Sequence, residues 1–134
     1  MDRDEKFSIT SISKRKVPDL PFLDVKNQIL GQDYELSLVS VPKKTAQELN
    51  ILYRQKDYIP NILSFPYTKK SGEIFINLEI IKKQHNDFDM NFETYLVFLF
   101  IHGCLHLKGM EHSSTMESKE KKLLQKLYLD KLPK

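Results

Sequence analysis

Alternation of hydrophobic and polar residues marks the N-terminal half of the chain. Residues 34–41 alternate almost throughout and stop at a proline, so they form the clearest predicted strand. Residues 7–12 alternate after their first position, as a half-buried strand does. Both segments should therefore turn one face toward a core.

Two shorter strands follow, with a turn between them. Residues 61–65 form an apolar strand that is closed by Pro66, and residues 73–77 form the next strand. Residues 69–72 read Lys-Lys-Ser-Gly, a sequence typical of a turn. The pattern therefore predicts a sheet of four strands.

Helical patterns lie between the strands. Residues 22–30 can form a short helix that ends at Gly31. Residues 46–54 also have a helical pattern, and Thr45 and Glu48 before and within it match a capping box. Strands that alternate with helices indicate a mixed α/β architecture.

The C-terminal part of the chain is predicted to be helical. Asn91 is a suitable N-cap for a helix that runs through His106, and from Tyr95 onward apolar residues cover nearly every face of it. Residues 114–117 match a second capping box, which opens a last helix. The residues of this last helix that should pack inward are Leu123, Leu124, Leu127 and Tyr128. The predicted fold class is α/β (α+β): one domain over residues 1–134, with a small four-stranded mixed sheet, packed helices and a buried central helix.

Composition indicates the cellular compartment in which the protein is expected to act. The 134 residues are 40% hydrophobic and 29% charged, as in an ordinary globular protein. The single cysteine fits a reducing compartment. Residues 1–6 are charged with no apolar signal region after them, and the longest apolar run, residues 96–101, is too short to span a bilayer. We therefore expect a cytoplasmic protein with no membrane partner.

Charge alone does not identify a nucleic-acid-binding protein. The net charge is +3, and no basic tail is present. A local basic groove would not show in this sum, and four lysine pairs could line one, although each pair by itself is usually a solvated surface. The pairs are residues 43–44, 69–70, 82–83 and 121–122.

Three of the four histidines lie within eleven residues near the end of the predicted central helix. His102 and His106 are four residues apart, which places them one turn apart on the same helical face. Gly109 can adopt a backbone conformation that turns the chain and returns His112 toward that face. Three neutral imidazoles suit zinc and leave one coordination position for water, which is typical of a catalytic site. The pattern indicates a zinc-dependent hydrolase with one zinc ion per chain.

Neighbouring residues limit the alternatives. Cys104 should point to the far side of the helix and behave as a small buried hydrophobe. His85 lies in a polar stretch and is predicted to be in a solvated loop or at a helix end. The histidine spacing also occurs in metzincin-type proteases, where a glutamate after the first histidine is the general base. Here Gly103 occupies that position, so peptide hydrolysis is disfavoured.

Four motifs together resemble the YbeY family of bacterial endoribonucleases, which act in ribosomal RNA maturation. They are Leu-Asn-x-x-Tyr-Arg at residues 49–54, Ile-Leu-Ser-Phe-Pro at residues 62–66, Gly-Glu-Ile at residues 72–74 and His-Gly-x-Leu-His-Leu-x-Gly-x-Glu-His at residues 102–112. They stand in the order found in the family. The resemblance covers roughly residues 34–130, and the last motif is highly specific.

The resemblance implies roles for individual residues. It implies that three histidines are the zinc ligands: His102, His106 and His112. It also implies that Arg54 is the functional arginine near the metal, so that Arg54 and a zinc-bound water would carry catalysis, with no protein side chain assigned as the base. Two positions depart from the family: Glu111 stands where aspartate is common, and Met110 where an aromatic residue is frequent.

The sequence is compatible with three functions. The first is a zinc-dependent single-strand endoribonuclease that acts in ribosomal RNA maturation and ribosome quality control. The second is a non-catalytic ribosome-assembly factor whose zinc stabilises the fold, and the third is a zinc hydrolase of a non-RNA substrate such as a peptide. Arg54 favours a phosphate over a peptide. The expected partners are single-stranded or ribosomal RNA, with ribosomal proteins and small-subunit assembly GTPases as further candidates.

Overall fold

The computed structural model describes residues 6–133, so the charged residues 1–5 and residue 134 lie outside the described part. Its strands are β1 (Phe7–Ser11), β2 (Glu35–Ser40), β3 (Ile62–Thr68) and β4 (Ser71–Ile76). Its α-helices are α1 (Phe22–Leu30), α2 (Lys43–Arg54), α3 (Leu78–Gln84), α4 (Phe92–Leu107) and α5 (Ser114–Leu127), and two short 3-10 helices span His85–Phe88 and Leu129–Lys131. None of the helices in residues 6–133 has the length and apolar character that crossing a membrane requires.

The four strands form one mixed sheet in the order β1-β2-β4-β3, so the predicted fold class is confirmed. β1, β2 and β4 are parallel, whereas β3 pairs antiparallel with β4 at the edge of the sheet. Leu38 of β2 and Ile74 of β4 are fully buried in the main core. Val39 of β2 belongs instead to a smaller cluster with Val41 and Ala46 at the start of α2. Because successive strand residues point to opposite faces, the burial of both Leu38 and Val39 shows that both faces of β2 are covered.

Helix α4 is the central helix, as predicted. Ten of its residues are buried, and its N-cap is Asn91, whose side-chain oxygen accepts a hydrogen bond from the backbone N–H of Thr94 at 2.8 Å. The ring of Phe100 meets the ring of Phe22 edge to face, with centroids 5.0 Å apart, which joins α4 to α1. Cys104 is fully buried, as expected, and burial raises the pKa of its thiol.

The predicted start of α2 is wrong. The helix begins at Lys43, and the backbone N–H of Ala46 already donates to the carbonyl oxygen of Pro42 at 3.0 Å. Thr45 therefore lies inside the helix and cannot be its N-cap. Proline lacks an N–H and has a restricted φ, so Pro42 is compatible with a helix that starts directly after it. The Thr45 and Glu48 pattern is consequently not a capping box.

The predicted start of α5 is displaced by one residue. The N-cap is Ser113, whose hydroxyl accepts a hydrogen bond from the backbone N–H of Met116 at 3.1 Å. With Ser113 as the N-cap, the third helical position is Met116 rather than Glu117. The first turn of α5 therefore lacks the carboxylate that a capping box requires. A single serine hydroxyl is sufficient because it satisfies one of the free N–H groups of the first turn. Leu124, Leu127 and Tyr128 are buried as predicted, and Leu123 is partly buried.

Two segments differ from their predicted form because of tertiary packing. β1 is exposed along most of its length, and Ile9 is 45% exposed, so the strand is not half-buried as its alternation suggested. Helix α3 was not predicted; Asn77, assigned to the preceding strand, is its N-cap and accepts from the N–H of Ile80 at 2.8 Å. The amide of Asn77 also donates to the carbonyl oxygen of Val41 at 2.9 Å, a contact between distant segments. His85 lies at the end of α3, in agreement with one of its two predicted settings.

The hairpin between β3 and β4 is tighter than the sequence suggested. β3 continues through Pro66, which an edge strand tolerates because one side of it needs no ladder hydrogen bonds. The turn contains only residues 69–70, and Gly72 lies within β4. A Cβ atom at Gly72 would lie 2.5 Å from the hydroxyl of Tyr34 and 2.9 Å from the carbonyl oxygen of Phe65. Gly72 is therefore required for close packing rather than for a turn.

Gly72→Ala is expected to destabilise the protein by about 1–3 kcal/mol, the usual cost of forcing an extra methyl group into a packed interior. Denaturant unfolding of the variant and the wild type would measure this cost. Tyr34→Phe removes the nearer of the two obstructing atoms, and the Tyr34 hydroxyl has no hydrogen-bond partner among the described residues. The double variant should therefore lose less stability than Gly72→Ala alone. Equal stability of Gly72→Ala and wild type would contradict the crowding.

Candidate metal centre

The C-terminal end of α4 places two imidazoles side by side. His102 and His106 are one helical turn apart, and their Nε2 atoms lie 3.0 Å from each other. Two nitrogens that each lie about 2.0–2.1 Å from one tetrahedral zinc ion are roughly 3.3 Å apart. The helix thus holds these two nitrogens at nearly the separation that a shared ion requires.

The end of α4 returns a third imidazole to the same place. Gly109 has a φ of +102°, and its N–H donates to the carbonyl oxygen of His106 at 2.9 Å. The N–H of Met110 donates to the carbonyl oxygen of Leu105 at 3.0 Å. These two bonds form a Schellman motif, which reverses the chain after a helix and favours glycine at the positive φ. The reversal that the sequence predicted at Gly109 is present and leads directly to His112.

The three imidazoles form one cluster. The ring of His112 lies with its centroid 4.9 Å from that of His102 and 4.6 Å from that of His106. One ligand atom from each of the three residues lies within 4.8 Å of the others. Burial, and then the neighbouring imidazoles of His102 and His112, lower the pKa of His106. A low pKa keeps the ring neutral, which is the form that binds a metal ion. The donor set therefore fits a single metal ion.

A buried carboxylate fixes the orientation of His102. The Nδ1 atom of His102 lies 3.1 Å from Oε1 of Glu120, and Glu120 is only 4% exposed. The Nδ1–H of His102 is placed to donate to this carboxylate, which accepts hydrogen bonds through its oxygens. The lone pair of His102 is then on Nε2, which faces His106. Metal-bound histidines commonly have such a partner on their other nitrogen.

The sequence analysis missed Glu120, although a signal was available. Buried residues of α5 are Met116, Glu120, Leu124 and Leu127, which share the helical spacing of one face. Glu120 is the acidic member of this otherwise apolar stripe. A carboxylate in that position must have a partner, because burying an unpaired charge is costly. The stripe indicates a buried acid, and only the tertiary structure identifies His102 as its partner.

Glu120→Ala is expected to weaken metal binding by about 10–100-fold, the usual effect of removing the hydrogen-bond partner of a ligand. Competition between the protein and a chromophoric chelator for zinc would measure the change. Glu120→Gln should lose less zinc affinity, because its amide oxygen can still accept a hydrogen bond from Nδ1 of His102. Glu48→Ala, which removes an exposed carboxylate from α2 and leaves the histidine cluster untouched, is the matched control. Unchanged zinc affinity of Glu120→Ala would show that the contact has no influence on the ligand.

Arg54 and the three histidines line one cavity of about 540 Å³. Arg54 is exposed at the C-terminal end of α2, and its positive charge is one of the smaller influences that lower the pKa of His106. Among the described residues, no carboxylate lies within ion-pair distance of its guanidinium. The rest of the lining comes from β3 and the residue before it: Asn61, Ile62, Leu63 and Ser64. The structure thus brings all four of the residues singled out in the sequence to one cavity.

Gly103 explains why this cavity lacks the protease base. A Cβ atom at Gly103 would lie 3.0 Å from the hydroxyl oxygen of Ser64 and 3.1 Å from side-chain carbons of Ile62 and Ile74. The hydroxyl of Ser64 also donates to the carbonyl oxygen of Gly103 at 3.3 Å. Even the first side-chain carbon of a glutamate here would therefore require these neighbouring side chains to shift by a few tenths of an ångström.

Comparison with known proteins agrees with the motifs. A family model described as Endoribonuclease YbeY matches residues 3–133. A relative named Endoribonuclease YbeY from Colwellia psychrerythraea is 34% identical over 109 residues, which cover 76% of this chain and 70% of the relative. One of the same name from Staphylococcus carnosus is 34% identical over 117 residues, which cover 78% of this chain and 76% of the relative.

A solved structure has the same fold. The solution structure of TM1509 from Thermotoga maritima superposes with a TM-score of 0.63 over 92% of this chain and 90% of that chain, at 23% sequence identity. The likeness supports the architecture of sheet and helices described above. Taken with the family model and the two relatives, the resemblance predicted from the four motifs is confirmed: the chain belongs to the YbeY family.

Proposed function

We propose that this protein is a zinc-dependent endoribonuclease that cleaves single-stranded RNA. The observation that carries the proposal is that Arg54 and the three clustered histidines line one cavity. The relatives named endoribonucleases support RNA as the substrate. The functional unit is proposed to be a single domain over residues 1–134.

Zinc is the proposed ion, about one per chain. Three imidazole nitrogens are a common ligand set for catalytic zinc, and they leave a position open for water or substrate. His112 is exposed at the surface, so the cluster is accessible from one side. When bound, the ion supplies a Lewis acid that polarises a phosphoryl oxygen and makes water a stronger acid.

The protein itself supplies binding and orientation. Arg54 is proposed to hold a phosphate by two parallel N–H donors and to offset negative charge that develops in the transition state. Glu120 keeps Nε2 of His102 directed toward the cluster. The lining of this cavity, drawn from the described residues, contains no carboxylate, so no side chain is assigned as the general base.

A single strand suits this cavity better than a duplex. The cavity lies between β3 and the end of α4, and its volume of about 540 Å³ is that of a small-molecule site rather than of a wide groove. A flexible single strand can place one phosphate and its neighbouring groups in such a site, whereas the sugar-phosphate backbone of double-stranded RNA is held at the surface of the duplex. A single-stranded substrate is therefore part of the proposal.

Two other functions remain as alternatives. A zinc hydrolase of peptides is disfavoured because Gly103 stands where the protease base would be, and its close approach to Ser64 leaves little space for a larger side chain. A ribosome-assembly factor without catalysis would use the same histidines to stabilise the fold. In either the enzyme or the assembly role, we propose a cytoplasmic protein that acts in ribosomal RNA maturation and ribosome quality control. Its proposed partners are ribosomal RNA, ribosomal proteins and small-subunit assembly GTPases.

Cleavage by highly purified protein tests the proposed function. An end-labelled ribosomal RNA fragment should be cut internally when single-stranded and resist cutting when annealed to its complement. Activity should vanish with a chelator and return with zinc. A His102→Ala preparation, purified identically, controls for contaminating nucleases. Equal cleavage by wild type and His102→Ala, or none by wild type loaded with zinc, would refute the enzymatic role.

A further inference from the structure

A second cavity, of about 410 Å³, adjoins the candidate metal centre. It shares four lining residues with the first cavity: Asn61, Ile62, His102 and His112. Its other walls come from the 3-10 helix His85–Phe88, from α4 and from α5. Because the two cavities share the histidines, a molecule bound at the metal centre can extend directly into the second cavity.

An exposed aromatic ring forms part of the wall of this second cavity. Phe88 is 53% exposed, and its ring is stacked on that of Tyr95, with centroids 4.9 Å apart and planes 14° apart. Tyr95 is only 2% exposed, and its hydroxyl donates to Gln84 at 3.3 Å and accepts from Asn61 at 3.4 Å. A buried and hydrogen-bonded ring therefore supports Phe88 from one side, while more than half of Phe88 stays in contact with solvent.

The polar groups of the second cavity complement this aromatic surface. Glu117 and Lys121 of α5 are exposed and lie one helical turn apart. A carboxylate can accept a hydrogen bond from the exocyclic amino group of a base, and an ammonium attracts a phosphate. An aromatic surface, a hydrogen-bond acceptor and a cation beside a phosphate-binding site are the features by which proteins hold unpaired nucleotides.

We propose that the second cavity is a base-binding subsite, in which a base adjacent to the scissile phosphate stacks on Phe88. The proposal rests on the proposed function, since the phosphate would be held by Arg54 and the metal centre. It adds a specific role for Phe88, for which no motif gave a signal. Every base can stack on Phe88, because each base has an aromatic face. The subsite therefore orients the strand and does not select among bases.

Binding of two small ligands tests the subsite separately from catalysis. Adenosine 5′-monophosphate and ribose 5-phosphate share the sugar phosphate, and only the former has a base. Titration of the zinc-loaded protein, followed by NMR, should show tighter binding of adenosine 5′-monophosphate and intermolecular contacts between its adenine and the ring of Phe88. Phe88→Ala should weaken the binding of adenosine 5′-monophosphate by roughly 10-fold, which is within the range for losing one stacking contact. Its affinity for ribose 5-phosphate should stay unchanged.

Variants distinguish stacking from a structural effect. Phe88→Trp should keep the preference for adenosine 5′-monophosphate because it preserves a ring, whereas Tyr67→Ala removes an aromatic residue that is 62% exposed and lines neither cavity. Tyr67→Ala should bind both ligands as wild type does. The proposal is overturned if wild type binds the two ligands equally or binds neither, or if Phe88→Ala leaves their affinity ratio unchanged.

RNA cleavage provides a second readout. A stacking contact present in both the bound substrate and the transition state lowers KM without changing kcat. Phe88→Ala should therefore raise KM for a single-stranded RNA and leave kcat within about twofold of wild type. A fall in kcat at constant KM would overturn the assigned role. Absence of cleavage by wild type would refute the proposed function, while the ratio of ligand affinities would still report on the subsite.

Discussion

Arg54→Ala is expected to cleave single-stranded RNA about 10²-fold or more slowly than wild type, while it keeps its metal and nearly all of its stability. Preorganised charge that stabilises a transition state commonly contributes an effect of this size. Arg54 is exposed, and a guanidinium is always protonated and cannot ligate zinc, so its removal should spare the fold and the histidines. Measurements of kcat/KM, zinc content and denaturant unfolding on the same preparation would test all three expectations.

Two further variants sharpen the Arg54 experiment. Arg54→Lys should restore only part of the activity, because an ammonium does not reproduce the planar pair of donors. Lys44→Ala removes one positive charge from the other end of α2, about 15 Å along the helix axis, and should cleave RNA normally. Wild-type cleavage by Arg54→Ala, combined with failure to support ribosome assembly in cells, would instead favour the assembly-factor function.

Loss of either helical histidine is expected to abolish stable metal binding. Wild-type protein should contain about one zinc ion per chain, whereas His102→Ala and His106→Ala leave only two imidazoles of the three. Their zinc affinity should fall by more than the roughly 10–100-fold that accompanies loss of a ligand's hydrogen-bond partner. Elemental analysis after dialysis and competition with a chelator would measure stoichiometry and affinity.

A histidine outside the cluster provides the control for this experiment. His85 is partly buried, its Nδ1 atom lies 2.8 Å from the carbonyl oxygen of Met90, and it is not part of the three-histidine cluster. His85→Ala should therefore retain zinc at the wild-type stoichiometry. If His102→Ala and His106→Ala also retain it with wild-type affinity, the three-histidine cluster is not the metal site.

Local chemistry allowed much of the candidate metal centre to be predicted. The spacing of His102 and His106 follows from the helical repeat, and the return of His112 follows from the Schellman motif at Gly109. The Asn91 cap likewise depends on atoms three residues apart. Such features can be read from a sequence because the interacting groups are close along the chain.

Other local patterns were misleading because competing caps were available. Thr45 matched a helix start, but Pro42 already accepts the first helical hydrogen bond of α2. Ser114 matched another helix start, but its neighbour Ser113 is the residue that caps α5. A capping motif by itself therefore does not fix the first residue of a helix, because backbone hydrogen bonds can begin the helix at a neighbouring position.

The sequence by itself determined the strands and central helix, the three clustered histidines and the family to which the chain belongs. Only the tertiary structure decided that Glu120 contacts His102, that Gly72 and Gly103 lie where neighbouring segments leave little room for a side chain, and that Phe88 lies beside the candidate metal centre. The physical reason is distance along the chain. Contacts within a few residues follow from backbone geometry, whereas contacts between remote segments depend on how the whole core packs.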